Sequence, residues 1–287
     1  MKVFVISGRS GSGKSTVLHA LEDAGYTCID NFPVLLLNQL IDKYVDNQNY
    51  NNLAVSIDAR SPSSELNKLP EVLQSLTQES FQPRLVYLDA QSSVLVKRFD
   101  ETRRRHPLEQ IGSDLVQCID AETNLLAHLA DIADLKIDTT NLSQHELTRL
   151  TNSLLIKGDS REIVLLFRSF AFRNGVPVDA DFVFDVRCLP NPHWDVELAK
   201  LSGRDKKVQE FFQRQELVTE MQQQIVKFLT RWLQVFEQHK RAYVTVAVGC
   251  TGGRHRSVYM TEQLAQVFRK KYSNVLTRHR EKYGKSA

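Results

Sequence analysis

The chain has 287 residues, 42% hydrophobic and 25% charged, with a net charge of +3 at pH 7. That length suits one large domain or two medium ones, and the composition is ordinary for a soluble globular protein. No apolar run approaches the ~20 residues that span a bilayer, and the short run behind Lys2 is a buried strand rather than a signal peptide, so a cytoplasmic protein with no membrane partner is expected. The four cysteines (Cys28, Cys118, Cys188, Cys250) are widely spaced and form no C-x-x-C pair; they read as reduced thiols without a zinc site. The charge is uneven. Residues 254–287 hold nine Lys/Arg against Glu262 and Glu281, a net +7, which leaves −4 on residues 1–253. A basic tail on a mildly acidic body points to a polyanion partner.

Residues 3–6 read as a strand buried on both faces, as in a parallel sheet. They lead into Gly8-Arg9-Ser10-Gly11-Ser12-Gly13-Lys14-Ser15, which fits G-x-x-x-x-G-K-[S/T], and a helical pattern follows to about residue 23. Strand, glycine-rich turn and helix N-terminus are the context that a phosphate-binding P-loop needs. The glycines let successive N–H groups converge on phosphate oxygens, and the helix dipole adds positive potential there. Lys14 is placed to reach the β- and γ-phosphates, and the Ser15 hydroxyl to ligate Mg²⁺.

Further strands are expected at 26–29, 53–57, 84–88 and 134–139, alternating with helices at 34–45, 64–75, 92–104, 113–129 (capped by Ser113 or Asp114) and 143–155. The alternation predicts an α/β fold, a P-loop kinase-like doubly wound parallel sheet. Asp30, Asp58 and Asp89 follow strands and so fall at the carboxyl edge, where ligands bind. Asp58 is the first choice for a carboxylate on Mg²⁺ or its waters, with Asp30 and Asp89 as alternatives; each also suits a turn or cap. Arg60 is a candidate contact to phosphate or base. The run Arg103-Arg104-Arg105-His106 is read either as a lid that neutralises phosphate charge or as a solvated helix end.

The pattern restarts near Lys157-Gly158-Asp159-Ser160. This places a P-loop nucleotide-binding domain at residues 1–156 and a second, smaller α/β domain at 157–287. Strands are expected at 161–167 and 181–186, a proline-rich loop at 188–194, a helix at 217–236 and a strand at 243–248. That strand runs into Gly249-Cys250-Thr251-Gly252-Gly253-Arg254-His255-Arg256-Ser257, followed by a helix at 258–271 and an edge strand at 274–276. Cys250-x₅-Arg256 between strand and helix fits the phosphate loop of cysteine-dependent phosphatases, although Gly249 stands where those enzymes usually have histidine. Backbone N–H groups at a helix N-terminus plus a bidentate arginine cup a phosphate. Phosphate or sugar-phosphate binding is therefore the first reading, with phosphatase catalysis and a merely structural glycine turn as alternatives. Arg187 and His193 are candidates to complete the pocket. In the tail, Arg269, Lys270, Lys271, Arg278, Arg280, Lys282 and Lys285 suit contact with a nucleic-acid backbone. Tyr272, His279 and Tyr283 are candidates to stack on unpaired bases. The alternative for the tail is a solubilising C-terminus.

These stretches together resemble the RapZ family of RNase adapter proteins, also known as P-loop nucleotide-binding proteins of the YvcJ type. The similarity is carried by the P-loop, Asp30-Asn31-Phe32-Pro33, Ser56-Ile57-Asp58-Ala59-Arg60, Thr102-Arg103-Arg104-Arg105-His106-Pro107-Leu108, Phe184-Asp185-Val186-Arg187, Leu189-Pro190-Asn191-Pro192-His193-Trp194 and the run from Gly249 to Ser257. They lie in order along the whole chain. The departures are small, such as Phe32 where leucine is common, and the tail is the least similar part. The resemblance implies ATP or GTP bound by the P-loop and by Asp58-Ala59-Arg60-Ser61. It implies a small regulatory RNA presented to the endoribonuclease RNase E, controlling synthesis of glucosamine-6-phosphate. It also implies a C-terminal domain that senses that sugar phosphate, RNA-binding residues between positions 269 and 284, and homo-oligomers reported as trimers or tetramers. The competing reading is a P-loop NTPase or small-molecule kinase. Charge separates them, because a metabolite kinase has no need for so basic a C-terminus.

Overall fold

The computed structural model describes residues 2–46, 52–76, 83–109, 114–156, 163–239 and 241–281. Of the residues singled out above, Ser113, Lys157 to Ser160, Lys282, Tyr283 and Lys285 lie outside these. The chain folds as two compact units, Met1–Gly158 and Asp159–Ala287. Among the described residues, no helix is long and apolar enough to cross a membrane.

The first unit is the expected doubly wound parallel sheet. Its strands are β1 (Lys2–Gly8), β2 (Thr27–Ile29), β3 (Asn52–Ser56), β4 (Pro83–Asp89) and β5 (Leu135–Asp138). They lie in the order β2-β3-β1-β4-β5, all parallel. Val5 pairs with Val55 on one side and Leu85 on the other. The chain therefore winds to one side of β1 and then to the other, which leaves a crevice at the carboxyl end of β1. The helices are α1 (Lys14–Asp23), α2 (Leu37–Asp46), α3 (Ser63–Leu66), α4 (Leu69–Ser75), α5 (Ser92–Thr102), α6 (Leu115–Ile132) and α7 (Gln144–Thr151), the last continuing as a π turn over Asn152–Ile156.

Local sequence sets their ends. Asp114 caps α6 by accepting from the Val116 N–H, and Ser143 with Glu146 forms a capping box on α7. Instead of the single helix expected at 64–75, two short ones form. Pro70 has no N–H and its ring crowds the carbonyl four residues back, at Leu66, where α3 ends. One core layer joins Val3, Val5, Leu53 and Val55 of the sheet to Leu37, Leu66, Leu126 and Leu129 of the helices.

The second unit holds β6 (Val164–Ala171), β7 (Phe182–Asp185), α8 (Lys206–Gln213), α9 (Glu216–Gln238), β8 (Tyr243–Cys250), α10 (Arg256–Phe268) and β9 (Val275–His279). Its parallel order is β7-β8-β6-β9. β6 runs on to Ala171, past the expected end at 167, because it pairs with β8 along its whole length. Helix α8 was not expected. The core packs Phe167, Val246 and Val248 against Phe212, Leu229, Leu233, Met260 and Phe268. Connections leave β6 towards β7 and β8 towards β9, so a second carboxyl-end crevice opens between β6 and β8.

One charge sits inside this sheet. Arg168 of β6 is buried and donates to the buried Asp179 at 2.6 Å. Removing one partner of such a pair strands the other without water. Asp179→Ala is expected to destabilise the second unit by about 3–5 kcal/mol in chemical denaturation; a loss below about 1 kcal/mol would show that the pair is solvated.

Candidate functional site

The turn after β1 is possible only for glycine. Gly8 has φ 137°, and a Cβ there would lie 2.1 Å from the Leu88 carbonyl oxygen of the neighbouring strand. Gly11 and Gly13 also have positive φ, and α1 starts at Lys14. The helix N-terminus thus faces a cleft of about 760 Å³. Residues from Ser10 to Thr16 line it. Asp30, Asp58 and Arg60 border it beyond β2 and β3, while Arg98, Arg104 and Arg105 border it beyond β4. Leu142 and Leu147 add apolar surface.

Lys14 is buried. Its Nζ donates to the carbonyls of Gly8 (2.7 Å) and Arg9 (3.3 Å) and lies 3.5 Å from Asp58 Oδ2. Asp58 Oδ1 accepts from the Arg60 backbone N–H (3.1 Å) and Nε (2.9 Å). Arg60 Nη2 reaches both Asp58 Oδ2 (2.9 Å) and Asp30 Oδ1 (3.0 Å). Burial works against the charged form of Asp58, but the Arg60 hydrogen bonds and the Lys14 charge outweigh it, and its carboxyl titrates below the usual range. For Asp30 burial is likewise outweighed, by hydrogen bonds from Ser56 and Arg60. Asp89 goes the other way: burial raises it despite its bond to Arg9.

Ser15 is exposed in the first turn of α1 and lines the cleft with Asp58. The described residues contain no group of three or more His, Cys, Asp or Glu able to hold a metal ion by themselves. One hydroxyl and one carboxylate beside a phosphate cradle instead suit Mg²⁺, which takes few protein ligands and completes its shell with phosphate and water.

Several predicted residues stand apart from this cluster. The Arg9 side chain turns away from the cleft: it donates to Asp89 (2.7 Å), Ser92 Oγ, Thr123 Oγ1 and the Ala90 carbonyl. Asp89 is thereby committed to Arg9 and is a poor metal ligand. Ala59 is buried in the turn that the Ser61 N–H closes onto the Asp58 carbonyl. Of the arginine run, Arg103 caps α5 in the left-handed region, Arg104 and Arg105 line the cleft, and His106 is buried and faces inward. Arg98, which donates to the carbonyls of Gly11 and Thr139, and Glu122, which accepts from Ser10, join the site from α5 and α6. No motif marks either one.

In the second unit the loop after β8 folds on itself. The Cys250 thiol accepts from the Gly253 N–H (3.2 Å) and lies 3.1 Å from Ser257 Oγ. Arg256 opens α10 and is buried; its Nη1 holds the carbonyls of Arg187 (2.6 Å) and Leu189 (3.2 Å), while Nη2 is 3.5 Å from Thr251 Oγ1. The expected bidentate grip on a phosphate is therefore replaced by bracing of the 187–189 backbone, with one nitrogen towards the loop. His255 is buried against the Leu198 carbonyl, and burial lowers its pKa. Arg187 is exposed, paired with Asp185 (2.7 Å) and stacked 4.1 Å over Phe172. His193 is exposed in the turn Pro192–Trp194, near enough for its charge to act on His255. Thus Arg187, Thr251 and Arg256 are brought together at the carboxyl edge, while Cys250 and His255 are turned inward.

The tail divides similarly. Arg269, Lys270 and Lys271 are exposed just beyond α10, and Arg278 is half-buried. Arg280 is not a surface cation. It is buried, donating to the carbonyls of Ala171 (2.9 Å) and Gly175 (2.7 Å) and pairing with Glu281. His279 is bonded to Ser169 Oγ and Glu262, and Tyr272 packs on Phe268 with its pKa pushed up to about 12, mainly by burial. The cause is β9: its pairing with β6 runs to His279, and the Arg280 N–H continues onto the Ser169 carbonyl, so the His279 and Arg280 side chains are engaged within the fold.

Residues 1–158 match the family model of the RapZ-like N-terminal domain, and residues 163–283 that of the RapZ C-terminal domain. A nucleotide-binding protein of Nitrosococcus oceani is 48% identical over 281 residues, which cover 98% of this chain and 99% of that protein. One of Hahella chejuensis is 46% identical over 283 residues, covering 98% and 99%. A shikimate kinase structure from Bacteroides thetaiotaomicron overlaps 54% of this chain and 98% of its own at 14% identity, with a TM-score of 0.37, too slight a likeness to argue from.

The Asp58 carboxyl titrates lower in the folded chain than its unfolded value of about 3.9. The stability it adds is full above that value and is lost as pH falls through the lower folded one. Asp58→Asn should therefore flatten the acid limb of the stability curve below about pH 4, read by urea unfolding at stepped pH. An unchanged limb would assign the acid-labile group elsewhere.

Proposed function

The chain belongs to the RapZ family, and from that premise we propose that it is a nucleotide-binding regulator whose output is RNA binding. ATP or GTP with Mg²⁺ occupies the cleft at the P-loop. N–H groups at the start of α1 take phosphate oxygens, and Lys14 exchanges its carbonyl partners for the β- and γ-phosphates. Ser15 and Asp58 serve the metal, and Leu142 and Leu147 lie where a base can rest. The loop at Thr251, Arg256 and Arg187 takes glucosamine-6-phosphate. Arg269, Lys270, Lys271 and Arg278 take a small regulatory RNA, which the protein, a cytoplasmic trimer or tetramer, presents to RNase E.

The observation that carries this reading is α10. Its first residue, Arg256, belongs to the phosphate-type loop, and the exposed cations Arg269, Lys270 and Lys271 follow its last residue, Phe268. Thirteen residues make a rod of about 20 Å, so one rigid element would join the proposed small-anion site at one end to the proposed polyanion site at the other. A metabolite kinase has no use for the second.

The competing reading is a P-loop NTPase or small-molecule kinase. It is favoured by the arginines Arg98, Arg104 and Arg105 that face Asp58 across the cleft, since such groups stabilise charge on a transferring phosphoryl. Transfer of a γ-phosphate to a small acceptor would decide for it.

Two experiments test the proposal. Lys14→Ala should abolish ATP and GTP binding in calorimetry, with a melting curve confirming that the variant is folded at the assay temperature; undiminished binding would overturn the nucleotide assignment. Replacing Arg269, Lys270 and Lys271 together by alanine should weaken RNA binding in gel shifts and lower the slope of log affinity against log salt by about 3. An unchanged slope would move the RNA site away from the end of α10.

A further inference from the structure

Glu122 sits near the middle of α6 with no exposed surface. A carboxylate so buried is tolerated only when hydrogen bonds replace its water. Its partners come from two segments far apart in sequence. Oε1 accepts from Ser10 Oγ (2.8 Å), Oε2 accepts from the Ser10 N–H (2.9 Å), and Oε2 also lies 3.1 Å from His106 Nε2. The His106 tautomer follows from its other nitrogen. Nδ1 accepts from the Leu108 N–H (3.2 Å), so Nε2 carries the hydrogen and donates to Glu122. The ring is further held by Phe99, 5.2 Å away between centroids.

Ser10 is part of the P-loop and lines the cleft. His106 directly follows Arg104 and Arg105, which line the same cleft from the far side of β1. One buried carboxylate therefore ties the glycine-rich turn to the arginine segment. Thr123, the next residue of α6, accepts from Arg9 at 3.1 Å, so α6 anchors two consecutive P-loop residues. Nothing else about Glu122 explains its burial: it does not line the cleft, and among the described residues it pairs with no lysine or arginine.

We infer that Glu122 is a positioning residue for the nucleotide site, a strut that holds Arg104 and Arg105 in register with the P-loop so that both meet one phosphate chain. This rests on the nucleotide reading above. Consecutive Cα atoms are about 3.8 Å apart, so pinning His106 pins the backbone of Arg105. Without the strut, the arginine segment must be ordered at each binding event, and the affinity it contributes falls.

The test is a double-mutant cycle on the full-length protein, read as ATP affinity by calorimetry, with melting curves to confirm folding. His106→Ala cuts one arm of the strut; Arg104→Ala with Arg105→Ala removes what the strut is argued to position. His106→Ala should weaken ATP binding by about tenfold in the parent and by less than about twofold once the two arginines are gone. His106→Gln, whose amide can donate to Glu122, should restore affinity to within about threefold. His106→Phe keeps an aromatic ring against Phe99 but has no donor for Glu122; it should show the same coupling, and it replaces His106→Ala in the cycle if that variant does not fold. Equal losses with and without the arginines would overturn the strut while leaving the nucleotide site intact. A parent protein that binds no ATP or GTP would instead overturn the nucleotide reading and the strut with it.

Discussion

A strand in the middle of a parallel sheet has neighbours on both sides, and at its carboxyl end the chain must leave without striking either one. At Gly8 the exit runs so close to β4 that a Cβ would lie 2.1 Å from the Leu88 oxygen. In the second sheet, a Cβ on Gly249 would lie 2.4 Å from the Phe170 ring, and one on Gly253 would lie 2.5 Å from Glu281 and 3.0 Å from the Ala171 nitrogen. Side chains are therefore excluded where backbone N–H groups and a helix N-terminus come to the surface. Both candidate sites follow from this exclusion. A bare backbone beside a helix start is what an anion can approach, and in each sheet the strand order opens the crevice at that place.

The two sites differ in how their charges are held. Around the P-loop three cations already have oxygen partners: Lys14 on two carbonyls and Asp58, Arg60 between Asp58 and Asp30, and Arg98 on the Gly11 and Thr139 carbonyls. An incoming phosphate competes for groups that are already aligned, so little ordering is left to the moment of binding. In the second unit Arg256 is built into the framework and carries the 187–189 backbone on its guanidinium. The exposed Arg187 is held by Asp185 and the Phe172 ring instead.

What could be read from the chain was what is local in it. The P-loop is adjacent residues in a fixed pattern, and the strands before each site are apolar runs broken by glycine. Pro70 was an available signal for the break between α3 and α4. Helix α8 was harder to see because Val208 and Phe212 are its only fully buried apolar anchors among charged neighbours. Glu122 was invisible: on an amphipathic helix beside Asp120 it reads as solvent-facing, and only the long-range contact with Ser10 and His106 distinguishes it. The same holds for Arg280. In a run of basic residues nothing marks the one that turns inward, because that depends on β9 pairing with β6 rather than on its neighbours in sequence.

That inward turn changes what the basic segment can be. A flexible tail binds a polyanion by wrapping it and loses entropy in doing so. Here residues 275–279 pair with β6, Arg280 holds two carbonyls beyond that strand, and Glu281 accepts from the Ala171 N–H and from Asn174. The segment is thus fastened on both sides of its last strand residue. The cations that stay outward, Arg269, Lys270 and Lys271, stand between a helix packed in the core and a strand paired in the sheet. Their backbone positions are therefore set by the fold. If the proposed RNA binding holds, cations whose backbone is already fixed lose little backbone entropy on binding, and the segment would suit a structured polyanion better than loose attraction to any negative surface.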